Sequence, residues 1–280
     1  KHWVPERVYA PGTTPAYSNY ATAVAGYIVQ RVSGQPFDQY IDQHIFQPLG
    51  MAHSSFSQPL RKDLVPLVSK GYKSASDGKA QGYEYINLAP AGSLASTGAD
   101  MGKFMIAHLA NGAFGDKRIL REDTAREMHG TSAKCIGGLN CMMLGFYETT
   151  ANGHKAIAHG GDTVYFHSDL QLFLNDGIGV YVSTNSSGKD GSARLIRDGL
   201  MTGFVNRYLP GPVPTGTGVD AATAKLHAQQ IAGSYANSRR AASNFMSLVY
   251  ALGQTKVVAN EDGTISVPMP PSIANIGISP

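Results

Sequence analysis

The sequence predicts a mixed α+β (α/β) fold in which helices flank an antiparallel sheet, followed by a smaller β-rich domain. Three observations indicate this architecture. Residues 155–183 are rich in strand-forming side chains and contain a turn signal at Asn175-Asp176-Gly177. Helical patterns precede and follow that region. The ten residues from Leu209 to Gly218 contain three prolines and three glycines. Such a stretch cannot sustain a helix or a central strand and marks a linker.

Composition and charge are those of an ordinary globular protein. The 280 residues are 42% hydrophobic and 15% charged. The net charge of +3 is spread without long basic runs, which gives no reason to expect a nucleic-acid partner. Uninterrupted apolar runs are shorter than the ~18 residues that a membrane span needs. We therefore expect neither a nucleic-acid partner nor a membrane span in this chain.

The first polar stretch of interest is Tyr17-Ser18-Asn19, which lies between a Pro-Gly loop and a helical pattern. Ser18 or Asn19 is a suitable N-cap and Gly34 a suitable end. Between them, apolar residues at helical spacing predict a buried helix: Ala21, Val24, Ala25, Ile28 and Val32. Tyr-x-Asn recurs at residues 85–87 and 235–237. Taken alone, the pattern therefore fits a loop aromatic and a helix cap as well as it fits a functional site.

A second helix can begin at Pro36 and is expected to end at Pro48. Its apolar stripe has a period of four residues: Phe37, Ile41 and Ile45. Residues 52–90 are punctuated by proline, glycine and serine, and predict irregular structure with short strands.

A third helix is marked by Thr97 and Asp100, which resemble a capping box with Asp in place of the usual Glu or Gln. This helix ends near Asn111-Gly112 and has one apolar face: Met101, Phe104, Met105 and Leu109. Methionines on such a face favour core packing. Residues 121–129 predict another short helix.

The strongest strand signal precedes a last amphipathic helix. Three segments predict adjacent antiparallel strands: Lys155–Ala158 continuing into His159-Gly160-Gly161, Thr163–Leu174, and Ile178–Ser183. Residues 144–147 predict a further strand. The helix, about Ser192–Tyr208, is expected to pack across the sheet through one apolar face: Leu195, Ile196, Leu200, Phe204 and Val205.

The chain therefore divides into a first domain at residues 1–208, a linker at 209–222 and a small β-rich domain at 223–280. Three strands are expected in the small domain, with a turn at Asp262-Gly263: Gln230–Tyr235, Leu248–Val258 and Thr264–Val267. The last thirteen residues, PMPPSIANIGISP, contain no obvious closing element, so we expect this domain to be incomplete.

Several ordered landmarks run along residues 1–207: Tyr17-Ser18-Asn19, Ser33-Gly34-Gln35-Pro36, Pro48-Leu49-Gly50-Met51, PAGSLASTGADMGKFM at 90–105, and HGGDTVYF at 159–166. This stretch resembles the class C-like branch of the serine β-lactamase, penicillin-binding protein and related esterase superfamily. That branch carries Tyr-x-Asn as its second catalytic motif, and the stretch beginning at His159 resembles its third. The resemblance implies a β-lactamase/transpeptidase-like fold with a helical subdomain beside the sheet.

The resemblance also implies residue roles in acyl transfer. Tyr17 would be the proton shuttle, and Asn19 would donate its amide to the acyl carbonyl. A phenol has an ordinary pKa near 10, so such a tyrosine needs a cationic neighbour. His159 stands where β-lactamases carry the Lys of Lys-Thr-Gly and is one candidate. Gly160-Gly161 would let substrate approach the strand, and the Asp162 amide would be an oxyanion donor.

The family's nucleophile is not found in its expected place. It is the Ser of a Ser-x-x-Lys motif upstream of Tyr-x-Asn, whereas the sixteen residues before Tyr17 contain no Ser. Two strings, Ser76-Asp77-Gly78-Lys79 and Ser186-Ser187-Gly188-Lys189, match by letter but lie downstream in turn-rich composition, so we interpret them as solvated loops. The nucleophile is expected upstream of Lys1, and the chain is expected to be an inactive fragment.

Two departures from the family pattern bear on substrate. Gly160 replaces the usual hydroxyl residue, and Tyr165 occupies a position that is usually Gly. An imidazole beside glycine binds a carboxylate less well than a lysine beside a hydroxyl. We therefore expect a small-molecule ester, peptide or β-lactam-like substrate, no cofactor, and an esterase or peptidase rather than a dedicated β-lactamase. The alternative is a catalytically inactive binding protein on the same fold.

Cysteine and histidine usage is compatible with export and does not indicate a metal site. Cys135 and Cys141 flank five residues that include two glycines, so they fit a small disulfide loop or two unpaired thiols. The nine histidines contain no His-Glu-x-x-His, and the spacing of His154, His159 and His167 matches no common ligand set. Low charge and abundant Gly, Ser and Thr favour a periplasmic or extracellular location.

Overall fold

The computed structural model describes residues 4–130, 139–211 and 218–268. The chain divides into two compact units. The first unit comprises residues 1–17 and 214–280, and the second runs from Ser18 to Val213. The domain boundaries expected from the sequence stay predictions.

The second unit contains most of the helices. They are α1 (Asn19–Ser33); α2 (Phe37–Ile41), which continues through a π turn (Asp42–Phe46) into α3 (Gln47–Leu49); α4 (Gly98–Leu109); α5 (Glu122–Gly130); and α6 (Ser192–Tyr208). Short 3-10 turns lie at Val65–Leu67, Ala75–Asp77 and Lys189–Gly191.

The strands of the second unit form one larger sheet and two short ladders. The ladders pair β1 (Gly71–Tyr72) with β2 (Ala80–Gln81), and β3 (Ala113–Phe114) with β4 (Lys117–Arg118). The larger sheet is antiparallel and has the order β5 (Tyr147–Ala151), β6 (His154–Asp162), β7 (His167–Phe173) and β8 (Ile178–Thr184).

The three expected neighbouring strands are confirmed, with two corrections. The strand expected at residues 144–147 begins only at Tyr147 and becomes β5, the edge of the sheet. The single strand expected over Thr163–Leu174 is wrong at its start, because residues 163–166 form a turn and β7 begins at His167. The β7–β8 connection turns as expected, with Gly177 at φ 66°.

The sheet is covered on both faces, as strand periodicity requires. On one face, Ile157, Leu170 and Leu172 form a core with Met105 of α4, packed by three of the residues expected on that helix: Met101, Phe104 and Leu109. On the other face, Ala156 and Phe173 pack with Val205 of α6. The methionine-rich face of α4 is therefore core, as expected.

Only two of the five residues expected on the buried face of α6 pack inward. Leu195, Ile196 and Leu200 are 73, 56 and 54% exposed, whereas Val205 is buried and Phe204 packs on the core. The inward residues follow a spacing of four along the helix: Ala193, Arg197, Met201 and Val205. The sequence pattern did not indicate this face because it contains an arginine. A charged side chain is expected to face solvent when only hydrophobicity is considered.

Helix α1 has the expected ends but not the expected burial. The Ser18 hydroxyl caps it by accepting from the Ala21 amide, and Gly34 ends it at φ 71°. The apolar stripe is largely exposed, with Ile28 at 54% and Val32 at 83%. The helix packs through Gly26 instead, where an added Cβ would overlap Pro90. Close approach at glycine, rather than the stripe, determines which side is buried.

One further helix boundary differs from expectation, and another is confirmed. Pro48 does not end the second helix, because it lies in the first positions of α3, where its missing N–H is not needed. Gly50, at φ 64°, ends it. The Thr97 side chain caps α4 by accepting from the Asp100 amide, as expected.

The Asp100 carboxylate serves the fold instead of completing the capping box. This buried group accepts hydrogen bonds from the His53 amide at 2.8 Å and the Ser54 hydroxyl at 3.0 Å, and pairs with Lys103 at 2.9 Å. Burial raises the pKa of the Asp100 carboxyl, but these hydrogen bonds outweigh it and hold the pKa below its ordinary value.

The C-terminal part of the first unit mixes helices with a small sheet. Its elements are α7 (Ala221–Ile231), β9 (Gly233–Tyr235), α8 (Met246–Leu252), β10 (Thr255–Ala259) and β11 (Ile265–Ser266). The strands form an antiparallel sheet in the order β11-β10-β9. The strand expected from Leu248 is wrong over 248–252, where Asn244 accepts from the Met246 amide and starts a helix that stops at Gly253.

The cysteine loop is described only in part. Cys141 is disulfide-bonded, and Cys135 lies outside the described residues. The pairing of Cys135 with Cys141 therefore stays a prediction.

Candidate active site

The third motif, His159-Gly160-Gly161-Asp162, occupies the last four residues of β6. On one side these residues pair with β7, with His159 opposite Leu170 and Asp162 opposite His167. On the other side, the β5 ladder begins with Tyr147 opposite Ala158. Within the described residues, the strand partner on the β5 side therefore ends just before His159. Beyond that point, the Tyr147 side chain is hydrogen-bonded to the Gly160 backbone.

Strand alternation sends the motif's side chains to opposite faces. His159 shares the face of Ile157, which packs toward α4, and Asp162 shares the face of Ala158, toward α6. A Cβ added at Gly160 would lie 3.3 Å from the Tyr147 hydroxyl, and one at Gly161 would lie 3.1 Å from the Ser168 hydroxyl. Side chains at both positions would therefore crowd their neighbours, which explains why glycine fits here.

Tyr147 adjoins the motif and was not singled out in the sequence. Its ring centroid lies 5.9 Å from that of half-buried His159. Burial raises the pKa of the Tyr147 phenol, and the Asp169 carboxylate raises it further. Asp169 faces Gly160 across the β6–β7 ladder, and burial raises its carboxyl pKa as well. No local pattern marks these two residues, because strand register alone brings them to the motif.

Two partners hold the Asp162 carboxylate. Arg197 of α6, whose side chain is only 11% exposed, contacts it at 2.9 Å and also donates to the Ser168 carbonyl at 3.3 Å. His167 of β7 contacts the same carboxylate oxygen through Nδ1 at 2.7 Å. These contacts fix the end of β6, where an oxyanion donor is expected.

One of the letter matches to Ser-x-x-Lys lies beside this cluster. The Ser187 hydroxyl is 3.3 Å from Nε2 of His167, and Nδ1 of the same ring contacts Asp162. The three side chains therefore form a Ser-His-Asp series. The Ser187 proton, however, goes to the Val164 carbonyl. Ser187 lies in a loop, as expected, and is half-buried there. It joins the loop after β8 to the turn after β6, because the two chain segments meet there.

Glu84 fixes the turn that follows the motif. Its carboxylate accepts from the Thr163 hydroxyl at 2.7 Å, the Val164 amide at 2.8 Å and the Tyr165 amide at 3.1 Å. A carboxylate that satisfies two neighbouring amides holds the backbone in a turn. This contact spans about eighty residues of sequence, which is why residues 163–166 could be mistaken for strand.

The tyrosines on either side of Glu84 form an aromatic pair. Tyr83 and Tyr85 meet edge to face with centroids 5.2 Å apart, and Tyr85 is 64% exposed. Burial and the neighbouring Tyr85 raise the pKa of the Tyr83 phenol. Tyr85 begins the second Tyr-x-Asn string, and this copy is thus part of the loop attached to the third motif.

The remaining expected site residues lie in other elements. Asn19 is the exposed first residue of α1. Tyr17 belongs to the first unit, where the Arg239 guanidinium lies over its ring at 4.8 Å from the centroid. Tyr17 and His159 fall in different units, so their expected proximity stays a prediction.

Neither a metal cluster nor a membrane helix is found in the part of the chain that the structure describes. No group of three or more His, Cys, Asp or Glu side chains in residues 4–130, 139–211 and 218–268 is arranged to hold a metal ion. Over the same ranges, every helix is too short or too polar to cross a bilayer.

Comparison with known proteins gives one family and partial relatives. A family profile described as Beta-lactamase matches residues 2–200. A stretch of 89 residues is 39% identical to the "Putative penicillin-binding protein PbpX" of Bacillus subtilis (strain 168), covering 31% of this chain and 22% of the relative. A stretch of 148 residues is 28% identical to a "Putative D-alanyl-D-alanine carboxypeptidase" of Escherichia coli O157:H7, covering 45% of this chain and 33% of the relative. The chain thus spans a third or less of these relatives' length.

Solved structures with similar folds include a β-lactamase/D-alanine carboxypeptidase from Pseudomonas syringae. It has a TM-score of 0.57 and 18% identity over 71% of this chain and 62% of that chain. The octameric penicillin-binding protein homologue from Pyrococcus abyssi has a TM-score of 0.57 and 20% identity, over 93% and 56% of the two chains. At these identities the likeness concerns the fold, and it confirms the expected β-lactamase/transpeptidase-like architecture.

Proposed function

Because the chain belongs to the β-lactamase family, we propose that the complete protein is a serine hydrolase that forms an acyl-enzyme with a small ester, peptide or β-lactam-like amide. The observation that carries this proposal is the edge of β6 at His159-Gly160-Gly161-Asp162. There the ladder with β5 has ended, and two glycines let a substrate backbone approach closely. Arg197 holds Asp162 at the end of the strand, and Glu84 holds the turn that follows it.

Each expected site residue has a role in this proposal. Tyr17 moves the proton between the nucleophile and the leaving group. Asn19 donates its side-chain amide to the acyl carbonyl, and the Asp162 amide donates to the developing oxyanion. His159 supplies positive charge near the reacting atoms when it is protonated. The nucleophile is the Ser of a Ser-x-x-Lys motif that we place before Lys1 in the complete protein.

We further propose that esters or peptides are better substrates than β-lactams. The residues after His159 are glycines, so the strand lacks the hydroxyl that assists carboxylate binding. The aromatic pair Tyr83 and Tyr85, attached to the motif's turn through Glu84, adds apolar surface next to it. Turnover of a nitrophenyl ester, a D-alanyl peptide and a cephalosporin by the complete protein should therefore give the smallest kcat/KM for the cephalosporin. A cephalosporin turned over fastest would contradict this order.

Tyr17→Phe in the complete protein tests the mechanism. General acid-base steps contribute about 10²- to 10⁴-fold, so ester turnover should fall by about that factor while the fold is retained. The matched control is Tyr27→Phe, which alters an exposed tyrosine of α1 and should leave turnover unchanged. His159→Ala should have a smaller effect than Tyr17→Phe, because the backbone donors remain.

Labelling with a fluorophosphonate tests the position of the nucleophile. The complete protein should be labelled stoichiometrically at the Ser of Ser-x-x-Lys, and the 280-residue chain alone should not be labelled. Labelling of the 280-residue chain would place the nucleophile inside it. A complete protein without Ser-x-x-Lys would favour a catalytically inactive binding protein. Tyr17→Phe turnover at the parental rate would place the active site elsewhere.

We also propose that the protein is exported to the periplasm or beyond the cell. A disulfide-bonded Cys141 fits an oxidising compartment, as do the low charge and the family. Fractionation of the source cells with an antibody against the chain should recover it outside the cytoplasm. Recovery in the cytoplasmic fraction would refute this location.

A further inference from the structure

A turn in the C-terminal part of the first unit packs on the loop that carries Tyr17. The Ser238 hydroxyl donates to the Pro15 carbonyl at 2.7 Å. This contact joins positions 223 residues apart in sequence. It holds the turn at residues 237–240 against Pro15, which lies two residues before Tyr17.

The next residue of the turn, Arg239, lies against Tyr17 itself. The Asn237 side chain accepts from the Arg239 amide at 2.8 Å, which fixes the backbone from which the arginine extends. The guanidinium carbon is 4.8 Å from the centroid of the Tyr17 ring. This distance is within the ~6 Å at which a cation is attracted to an aromatic face. A planar guanidinium is also well suited to stack on a ring.

A cation in this position has a chemical use in the proposed reaction. The proton shuttle passes through a state in which the Tyr17 oxygen carries negative charge that is delocalised into the ring. A guanidinium over the ring attracts that anion more strongly than it attracts the neutral phenol. Only such differential stabilisation accelerates a chemical step. The arginine would therefore act on turnover more than on substrate binding.

We propose that Arg239 is a positioning residue for Tyr17 and supplies positive charge to the second motif. This inference rests on the proposed function, since it requires Tyr17 to be the proton shuttle. Arg239 lies beyond residues 2–200, the part matched by the family profile. The C-terminal part of the first unit therefore contributes a side chain that acts on Tyr17.

The test compares Arg239→Gln, Arg239→Lys and Arg240→Gln in the complete protein, with a nitrophenyl ester as substrate. Arg239→Gln should lower kcat by about 3- to 30-fold, the range expected for losing a cation–π contact, with KM nearly unchanged. Arg239→Lys keeps the charge and should restore most of the loss. Arg240→Gln removes the neighbouring exposed arginine and should behave like the parent. Equal thermal midpoints of all variants show that the fold is retained.

A double variant decides whether the effect passes through Tyr17. In the Tyr17→Phe background, Arg239→Gln should cause no further loss, because the group on which it acts is gone. An equal loss in both backgrounds, or parental kcat for Arg239→Gln, overturns the inference. If Arg239→Gln has parental kcat but Tyr17→Phe loses most of its turnover, the proposed function still stands. Parental turnover of Tyr17→Phe overturns both the inference and the proposed function.

Discussion

Lowering the pH from 7 to 5 should destabilise the second unit through two buried histidines. His108 on α4 is 3% exposed and His129 on α5 is 8% exposed, and their ring nitrogens Nδ1 and Nε2 are 2.9 Å apart. Both rings pack against Phe146, with centroids 5.5 and 6.2 Å away. Two neutral rings can share one hydrogen bond, whereas a positive charge on either ring is costly in this apolar setting.

The magnitude follows from the pKa values. Burial and the neighbouring His129 lower the pKa of His108 from 6.5 to about 4, and burial lowers the pKa of His129. Because the folded pKa is lowered, the unfolded chain binds more protons between pH 6.5 and 4. The stabilisation is complete above pH 6.5 and is lost as the pH falls. For His108 alone, the loss in unfolding free energy between pH 7 and pH 5 is about 2 kcal/mol.

The assay is urea unfolding followed by circular dichroism at pH 7 and pH 5. Carboxyl groups also titrate on acidification, so the parent is compared with a double variant, His108→Leu with His129→Leu. The double variant should lose about 2 kcal/mol less than the parent over this interval. His44→Leu, which changes an exposed histidine, should follow the parent. A double variant as acid-sensitive as the parent would refute the reasoning.

Three further predictions concern the contacts that hold the fold and the site. Glu84→Gln should lower the unfolding free energy by about 1–3 kcal/mol in urea titrations and reduce kcat, because the turn after the third motif loses its charged acceptor; an unchanged kcat would show that the turn has no catalytic part. Asp100→Asn should destabilise by about 3 kcal/mol, because Lys103 loses its charged partner. Parental stability at pH 7 would contradict a stabilising role of the buried carboxylate. Mass spectrometry without reductant should find a peptide linking Cys135 to Cys141, and its absence would refute the pairing.

The sequence by itself determined the features that depend on neighbours in the chain. Ser18 and Gly34 bound α1 because a hydroxyl cap and a left-handed glycine act within one helical turn. Thr97 starts α4 for the same reason. The turn ending at Gly177 and the adjoining strands follow from residue preferences over a few positions. The ordered landmarks also sufficed to identify the family.

Tertiary structure alone decided the features that depend on contacts between distant residues. Residues 163–166 turn because Glu84, far away in sequence, accepts from their amides. The inward face of α6 contains Arg197 because Asp162 offers it a partner. Neither pairing leaves a periodic signal, since hydrophobic patterns report average burial and not the identity of a partner.

The candidate site shows the same division. The placement of His159-Gly160-Gly161-Asp162 on one strand could be predicted, because the four residues are contiguous. Tyr147 and Asp169 could not, because strand register brings them to that motif. Arg239 could not either, because a side-chain hydrogen bond across 223 positions places its turn beside Tyr17. A motif of contiguous residues can be recognised from the sequence, whereas the partners of a charged or aromatic side chain are determined only when the chain folds.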